Sequence, residues 1–433
     1  MPFFTEIDSR AAIKGSRDPL GYQPVWAAFG RQVVGNLTTV TTSVRNFTTL
    51  MLGLYFADRA IAAGKCSEAD RVNAFLKFEQ LAAYSRHAYS GADQTSERPR
   101  GSQRVQYNLA EGDGTVRISA KQEHQILSSQ KTYGLWGLFM VASRQSGLVE
   151  QGENRLTNLA KEFIEENYLP RLEFEGNRNG SQIIRYLERY LEFTPKGKQQ
   201  ALGRKLSEVL HGTFTEQERK FYNQALVYGQ APECDHTDGR QERLWQTIVR
   251  VNNDKRAGWT QPFGYGELIT VRDDAEARGD QSLANALDSI SIVEPVLASS
   301  AMLFSFLLLH DNADIDMVVS DVRKQWGRAG LRHLQADKLA ALQITAVSKI
   351  NQLTQQLHAG DYAGAIHTLL ALNAEVMKSR GGAPWVTMNK GRLKVQLREE
   401  SGWLPERADL PGLWQNTYFI NSLKWVGKTL NCP

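Results

Sequence analysis

At 433 residues, 42% apolar and 23% charged, the chain sits near the average for globular proteins and can bury a large core in two or three domains. A formal net charge of +4 permits a polyanionic partner without demanding one, since the cations are spread along the chain. Three widely spaced cysteines (Cys66, Cys234 and Cys432) argue against a disulfide framework or structural zinc and for a reducing cytosol.

The opening Met1-Pro2-Phe3-Phe4-Thr5-Glu6-Ile7-Asp8 has no basic stretch and no long apolar run, so no secretory signal is expected. Residues 18–58 carry the strongest pattern. A hydroxyl-rich run, Thr38-Thr39-Val40-Thr41-Thr42-Ser43, leads through Val44-Arg45-Asn46-Phe47-Thr48-Thr49 into the apolar Leu50-Met51-Leu52-Gly53-Leu54-Tyr55-Phe56-Ala57. Hydroxyl side chains favour caps and turns, and a helix apolar all round belongs inside a protein. A central helix is therefore predicted, with Thr41, Thr42, Ser43, Arg45 and Thr48 at its positive end as a candidate anion site. The competing reading is that these hydroxyls cap the helix and pair with buried backbone. No Gly-Lys-Ser/Thr phosphate loop is present, so ordinary NTPase chemistry is unsupported.

Ser67-Glu68-Ala69-Asp70 resembles a helix start, followed by an inward stripe of Val72, Phe75, Leu76, Phe78, Leu81 and Ala82. Residues 90–101 read as a surface loop. Alternation in 105–109 and 115–119 around Asp113-Gly114 predicts a small β-hairpin. Helices are expected from near Lys121 and over 133–144, 157–168, 181–191 and 198–210, with a capping box at Thr215-Glu216-Gln217-Glu218. A winged-helix-like unit is read in this half. The helix ending at Gly147-Leu148-Val149 would be followed by a short wing and a capped helix at Leu156-Thr157, with Lys131, Arg144 and Arg155 toward a DNA backbone.

Residues 230–239, with Pro232 and Gly239, read as a linker, which divides the chain into helical domains over 1–232 and 239–433. A short amphipathic helix over 240–250 presents Arg240, Arg243 and Arg250, followed by Lys255, Arg256, Trp259, Phe263 and Tyr265. Arginines can hold phosphates while aromatic rings stack on bases, so Arg240, Arg243, Arg250, Lys255, Arg256, Trp259 and Tyr265 are the candidate nucleic-acid contacts. The plainer account is a solvated face and a loop whose aromatics anchor to the core.

Residues 296–309 are apolar but shorter than the roughly 18–20 residues a bilayer span needs, so a buried helix and a cytoplasmic protein without membrane contact are expected. The helix is followed by His310-Asp311, with Asp314, Asp316 and Asp321 nearby. An adjacent His-Asp pair resembles the centre of HD phosphohydrolases, which implies a divalent metal with a further His and Asp. His211 or His236 and Asp337 or Asp361 are formally available. The same pair is also an ordinary polar exit from a core helix. Cys234-Asp235-His236-Thr237-Asp238 falls short of a zinc ligand set.

A helical hairpin over 336–357 and 362–379 turns at His358-Ala359-Gly360-Asp361 and stops at Gly381-Gly382-Ala383-Pro384. A second β-hairpin pairs 385–387 with 393–397 around Asn389-Lys390-Gly391, and a helix over 418–430 closes the chain. No Gly-x-Ser-x-Gly, His-Glu-x-x-His or dinucleotide glycine fingerprint occurs, so no nucleophile and no cofactor is nominated.

Asp18-Pro19-Leu20-Gly21, the Thr-rich loop, Gly134-Leu135-Trp136-Gly137-Leu138, Gly147-Leu148-Val149 and Trp414-Gln415-Asn416-Thr417-Tyr418-Phe419 occur in that order. Together they resemble uncharacterised helical bacterial proteins encoded with phage-defence or DNA-processing genes, which implies DNA or RNA as a partner. The sequence thus predicts a mainly α, two-domain protein with small β-hairpins. Its expected role is a non-enzymatic nucleic-acid-binding and protein-docking subunit. The alternatives are a metal-dependent phosphohydrolase using His310 and Asp311, or a pure scaffold.

Overall fold

Helical periodicity over most of the chain becomes a mainly α protein, and the described strands form two two-stranded antiparallel sheets. The computed structural model describes residues 18–90, 97, 99–111, 113–210, 213–230, 237–252, 256–397 and 403–431. These fall into two compact units with interleaved segments. One takes the described residues up to Val33 and those from Arg250 to Tyr418; the other takes Val34 to Val249 and those from Phe419 onward. The division expected at 232–239 differs from this, because the chain changes unit three times, once inside the Arg240–Asn252 helix. Pro and Gly punctuation marks loops, and it cannot reveal that a terminal segment rejoins a distant core.

In the second unit the predicted central helix is Val44–Ala62, with Phe47, Leu50, Leu54 and Phe56 fully buried. Ser43 caps it, its hydroxyl accepting from the Asn46 amide. The Arg71–Ser90 helix packs alongside at a close approach: a Cβ on Gly53 would lie 2.9 Å from the Phe75 ring. The predicted first hairpin is corrected. Ser102–Glu111 is helical, and Val116–Ile118 pairs instead with Leu191–Phe193. Asp113 and Gly114 do take positive φ, at 49° and 76°, as a hairpin turn would. Here they end a helix, with the Gly114 amide reaching back to the Leu109 carbonyl at 3.0 Å. The Asp-Gly signal was real and served a different element.

The capping box at Thr215 forms as predicted on Glu216–Tyr222, which runs on into a π-turn at Asn223–Val227. A π-turn leaves carbonyls without their usual helical partners. Asn36 Nδ2 donates to the Ala225 carbonyl at 2.7 Å, and Gln241 Nε2 to the Leu226 carbonyl at 2.9 Å.

Glu79 is buried on the Arg71–Ser90 helix and accepts from the Leu135 amide and Gln130 Nε2, each at 2.8 Å. Burial outweighs those donors and pushes its carboxyl up to about 7. The unfolded chain therefore gives up this proton at lower pH than the folded one. The contribution of Glu79 to stability is full below pH ~4.3 and is lost as pH rises through about 7, on the order of 3 kcal/mol in all. In Glu79→Gln the pH dependence of the denaturation midpoint should flatten across that window. An unchanged slope would refute the assignment.

The first unit is organised by the Gln281–Leu307 helix, which starts well before the predicted apolar stretch. It alone among the described helices is long and apolar enough to cross a membrane, yet 78% of its most apolar window is buried inside the protein. The Gln23–Arg31 helix packs on it, and the Tyr22 hydroxyl pairs with Ser300 at 2.8 Å. The helical turn at Gly360-Asp361 forms as expected, with Gly360 at φ 78° and Asp361 accepting from the Gly364 amide. Its first arm is broken, however, into Ala336–Ala341 and Ile350–Ala359. The second β-hairpin is present: Val386–Asn389 pairs with Arg392–Val395 through Lys390 and Gly391, at φ 50° and 77°. Positive φ at both turn residues is the tight geometry that matches strand twist.

Candidate nucleic-acid interface

The Arg240–Asn252 helix turns Leu244, Trp245 and Ile248 inward, which leaves its arginines on the remaining surface. Arg240 lies 3.8 Å from the Asp238 carboxylate, and Arg243 donates to the Asp238 carbonyl at 3.0 Å. Both belong to the second unit, whereas Arg250, Trp259 and Tyr265 belong to the first. Within the first unit, Arg250 meets Asp274 at 2.8 Å, and Arg278 donates through Nε to the same carboxylate at 3.1 Å. Burial opposes the Asp274 charge, but the two guanidinium groups overcome it and hold the carboxyl below its ordinary range. Arg278 was missed from sequence. It sits one helical turn after Asp274, and only the fold brings Arg250 to the same carboxylate.

Lys255 lies outside the described residues. Arg256 opens the Arg256–Trp259 turn, in which Trp259 is half-buried. Phe263 is buried against Trp414, as the anchoring account of this loop requires. Tyr265 donates its hydroxyl to the Ser291 carbonyl at 3.0 Å. That carbonyl lies four residues before Pro295, which has no N–H to offer, so Tyr265 supplies the donor the proline removes. The Tyr265 phenol is thereby tied to a helix rather than turned toward a base.

The positive end of Val44–Ala62 is built as an anion site, and the protein fills it. The Ser43 hydroxyl and the Arg45 amide each donate to Glu97 Oε2 at 2.7 Å, and the Val44 amide donates to Oε1 at 3.2 Å. A carboxylate at a helix N-terminus answers both the unpaired amides and the helix dipole. Arg45 turns inward to Glu218 at 2.6 Å. The Thr41 hydroxyl closes a turn with Thr38, Thr48 meets the Tyr222 hydroxyl at 2.7 Å, and Thr42 is half-buried. Glu97 was missed because its only sequence signal was a polar loop.

In the region read as winged, Gln130–Tyr133 and Leu135–Gln145 precede an antiparallel bridge, Val149 to Leu156, and the Thr157-capped helix Asn158–Asn167. Arg144 folds onto that loop, donating to the Glu153 carbonyl at 2.9 Å and to Asn154 Oδ1 at 2.8 Å. Arg155 faces Glu68 at 3.4 Å, and Lys131 is exposed. A cleft of about 580 Å³ lies beside the bridge, where Arg59, Arg155 and Lys161 are interspersed with Asp58, Glu150 and Glu165.

His310 engages the Phe306 carbonyl through Nδ1 at 2.7 Å, and Asp311 accepts from the Val395 amide at 3.0 Å. The pair thus joins the end of the long helix to the hairpin. Among the described residues no three His, Cys, Asp or Glu side chains are grouped closely enough to hold a metal ion. His211 and residues 234–236 of the Cys-Asp-His cluster lie outside the described residues. Compared with protein-family models, with curated proteins and with solved structures, the chain matches none.

Proposed function

We propose that this chain is a non-enzymatic cytoplasmic subunit that binds the phosphate backbone of DNA or RNA and docks on other proteins of a multicomponent, phage-defence type system. The supporting observation is the pair of arginines on Asp274. Arg278 is held through Nε alone, its side chain is 58% exposed, and its two terminal nitrogens have no protein partner among the described residues. A guanidinium oriented through one nitrogen keeps its fork for a phosphate. Arg250 on the neighbouring helix adds a second cation at the same carboxylate.

The test is fluorescence anisotropy with labelled single-stranded and duplex DNA and RNA across a salt series. Each phosphate contact contributes about 0.7 to 0.9 to the slope of log affinity against log salt. Arg250→Ala with Arg278→Ala should weaken binding at low salt and reduce that slope by up to about 2. Equal affinity and slope in the double variant would reject the interface, and no binding by the parent chain would favour a pure scaffold.

A further inference from the structure

Between the Val44–Ala62 and Arg71–Ser90 helices lies a small, partly open space of about 10 Å³, lined by Asn46, Thr49, Glu79, Arg86, Arg100 and Leu135 among others. That is room for one particle of about the size of water. Arg86 is 3% exposed and donates through Nη2 to the Glu97 carbonyl. Its Nε and Nη1 are buried with no hydrogen-bond partner. The Glu97 carboxylate attracts it through space, but no carboxylate among the described residues hydrogen-bonds to it: Glu97 is taken by the helix N-terminus, and Glu218 by Arg45. Asn46 lines the same space, and its side-chain amide has no protein partner among the described residues. A buried guanidinium with two unused donors needs acceptors and a counter-charge.

We infer that this cavity is a binding site for one small monovalent anion of the halide class, held by Arg86 Nε and Nη1 and by the Asn46 amide. Water would supply an acceptor but no charge. The dimensions exclude phosphate, sulfate and organic carboxylates. The charged groups around the space are Arg86 and Glu79 on one helix, Arg45 on the other, and Glu97 and Arg100 on the covering loop. Of these, Glu79 lies in the cavity wall and changes charge near neutrality, since burial pushes its carboxyl up to about 7. When ionised it repels the anion and supplies the counter-charge itself, so uptake of a halide is coupled to uptake of a proton by Glu79.

Crystals of the full chain grown in sodium bromide at about pH 5, below the Glu79 titration, should show an anomalous peak beside Arg86 Nε and Nη1. In solution, sodium bromide should raise the melting temperature more than sodium gluconate does. Above the Glu79 titration the halide affinity should fall by up to about tenfold per pH unit. Glu79→Gln should make uptake independent of pH. Asn46→Asp, which sets a carboxylate against the anion, should abolish the bromide effect while Arg86 stays in place. Density of water strength with no anomalous signal, or equal melting in bromide and gluconate, would overturn the inference.

Discussion

Glu218→Ala should destabilise the second unit by about 3–5 kcal/mol, read as a lower denaturant midpoint at unchanged slope. Arg45 and Glu218 are 1% and 0% exposed and meet at 2.6 Å, with a second contact at 3.4 Å. The guanidinium also lies 3.9 Å from the centre of the Phe214 ring. Glu218 is at the same time the acid of the capping box, accepting from the Thr215 amide at 2.7 Å. Its removal therefore leaves a buried cation alone and uncaps a helix. Arg45→Met combined with Glu218→Leu should recover much of the loss, because two apolar side chains leave no uncompensated charge. A single variant as stable as the parent would show the pair to be dispensable. The pH response is opposite in sign to that of Glu79. Burial opposes the Glu218 charge, but Arg45 and the Thr215 amide hold its carboxyl below the ordinary range. Its contribution is present above pH ~4.3 and is lost as pH falls through the lower folded value.

Glu294→Ala should be the most damaging single change in the first unit. Its Oε1 accepts from the Gln415 and Asn416 amides at 2.5 and 3.0 Å. Its Oε2 accepts from Asn416 Nδ2 at 2.9 Å and from the Tyr418 hydroxyl at 2.8 Å. Alanine leaves four donors without their acceptor, each costing about 1–3 kcal/mol where no water replaces it. A loss of at least about 3 kcal/mol is expected, with faster amide exchange at Gln415 and Asn416. Glu294→Gln keeps one carbonyl oxygen and should cost less. Burial raises the Glu294 carboxyl, the four donors opposing it without prevailing, so its contribution is full at low pH and weakens as pH rises through the shifted value. Amide exchange at Gln415 and Asn416 no faster in the alanine variant would refute the anchoring role.

Local signals carried much of the fold. Thr215 with Glu218, the Asn389-Lys390-Gly391 turn and the all-apolar run after Thr49 each specify an element within a few residues, and each forms. What failed was pairing over distance. Val116–Ile118 takes its partner from Leu191–Phe193, which no turn residue encodes. The candidate site shows the same limit. The positive helix end was legible in Thr41, Thr42 and Ser43, but its occupant, Glu97, comes from a loop about fifty residues on. Likewise Arg250 was legible as a cation, while the carboxylate it shares with Arg278 was not.

The Ile420–Asn431 helix belongs to the second unit, whose preceding segment ends at Val249. Arg219 donates to the Leu430 carbonyl, and the Trp245 ring occupies the space where a Cβ on Gly427 would lie. During synthesis this groove, framed by Trp245, stays unfilled until residues 420–431 have been made. For that interval the nascent chain presents an apolar surface to chaperones and to other copies of itself. Loss of the Ile420–Asn431 helix would thus act as a defect in the interior of a unit begun at Val34.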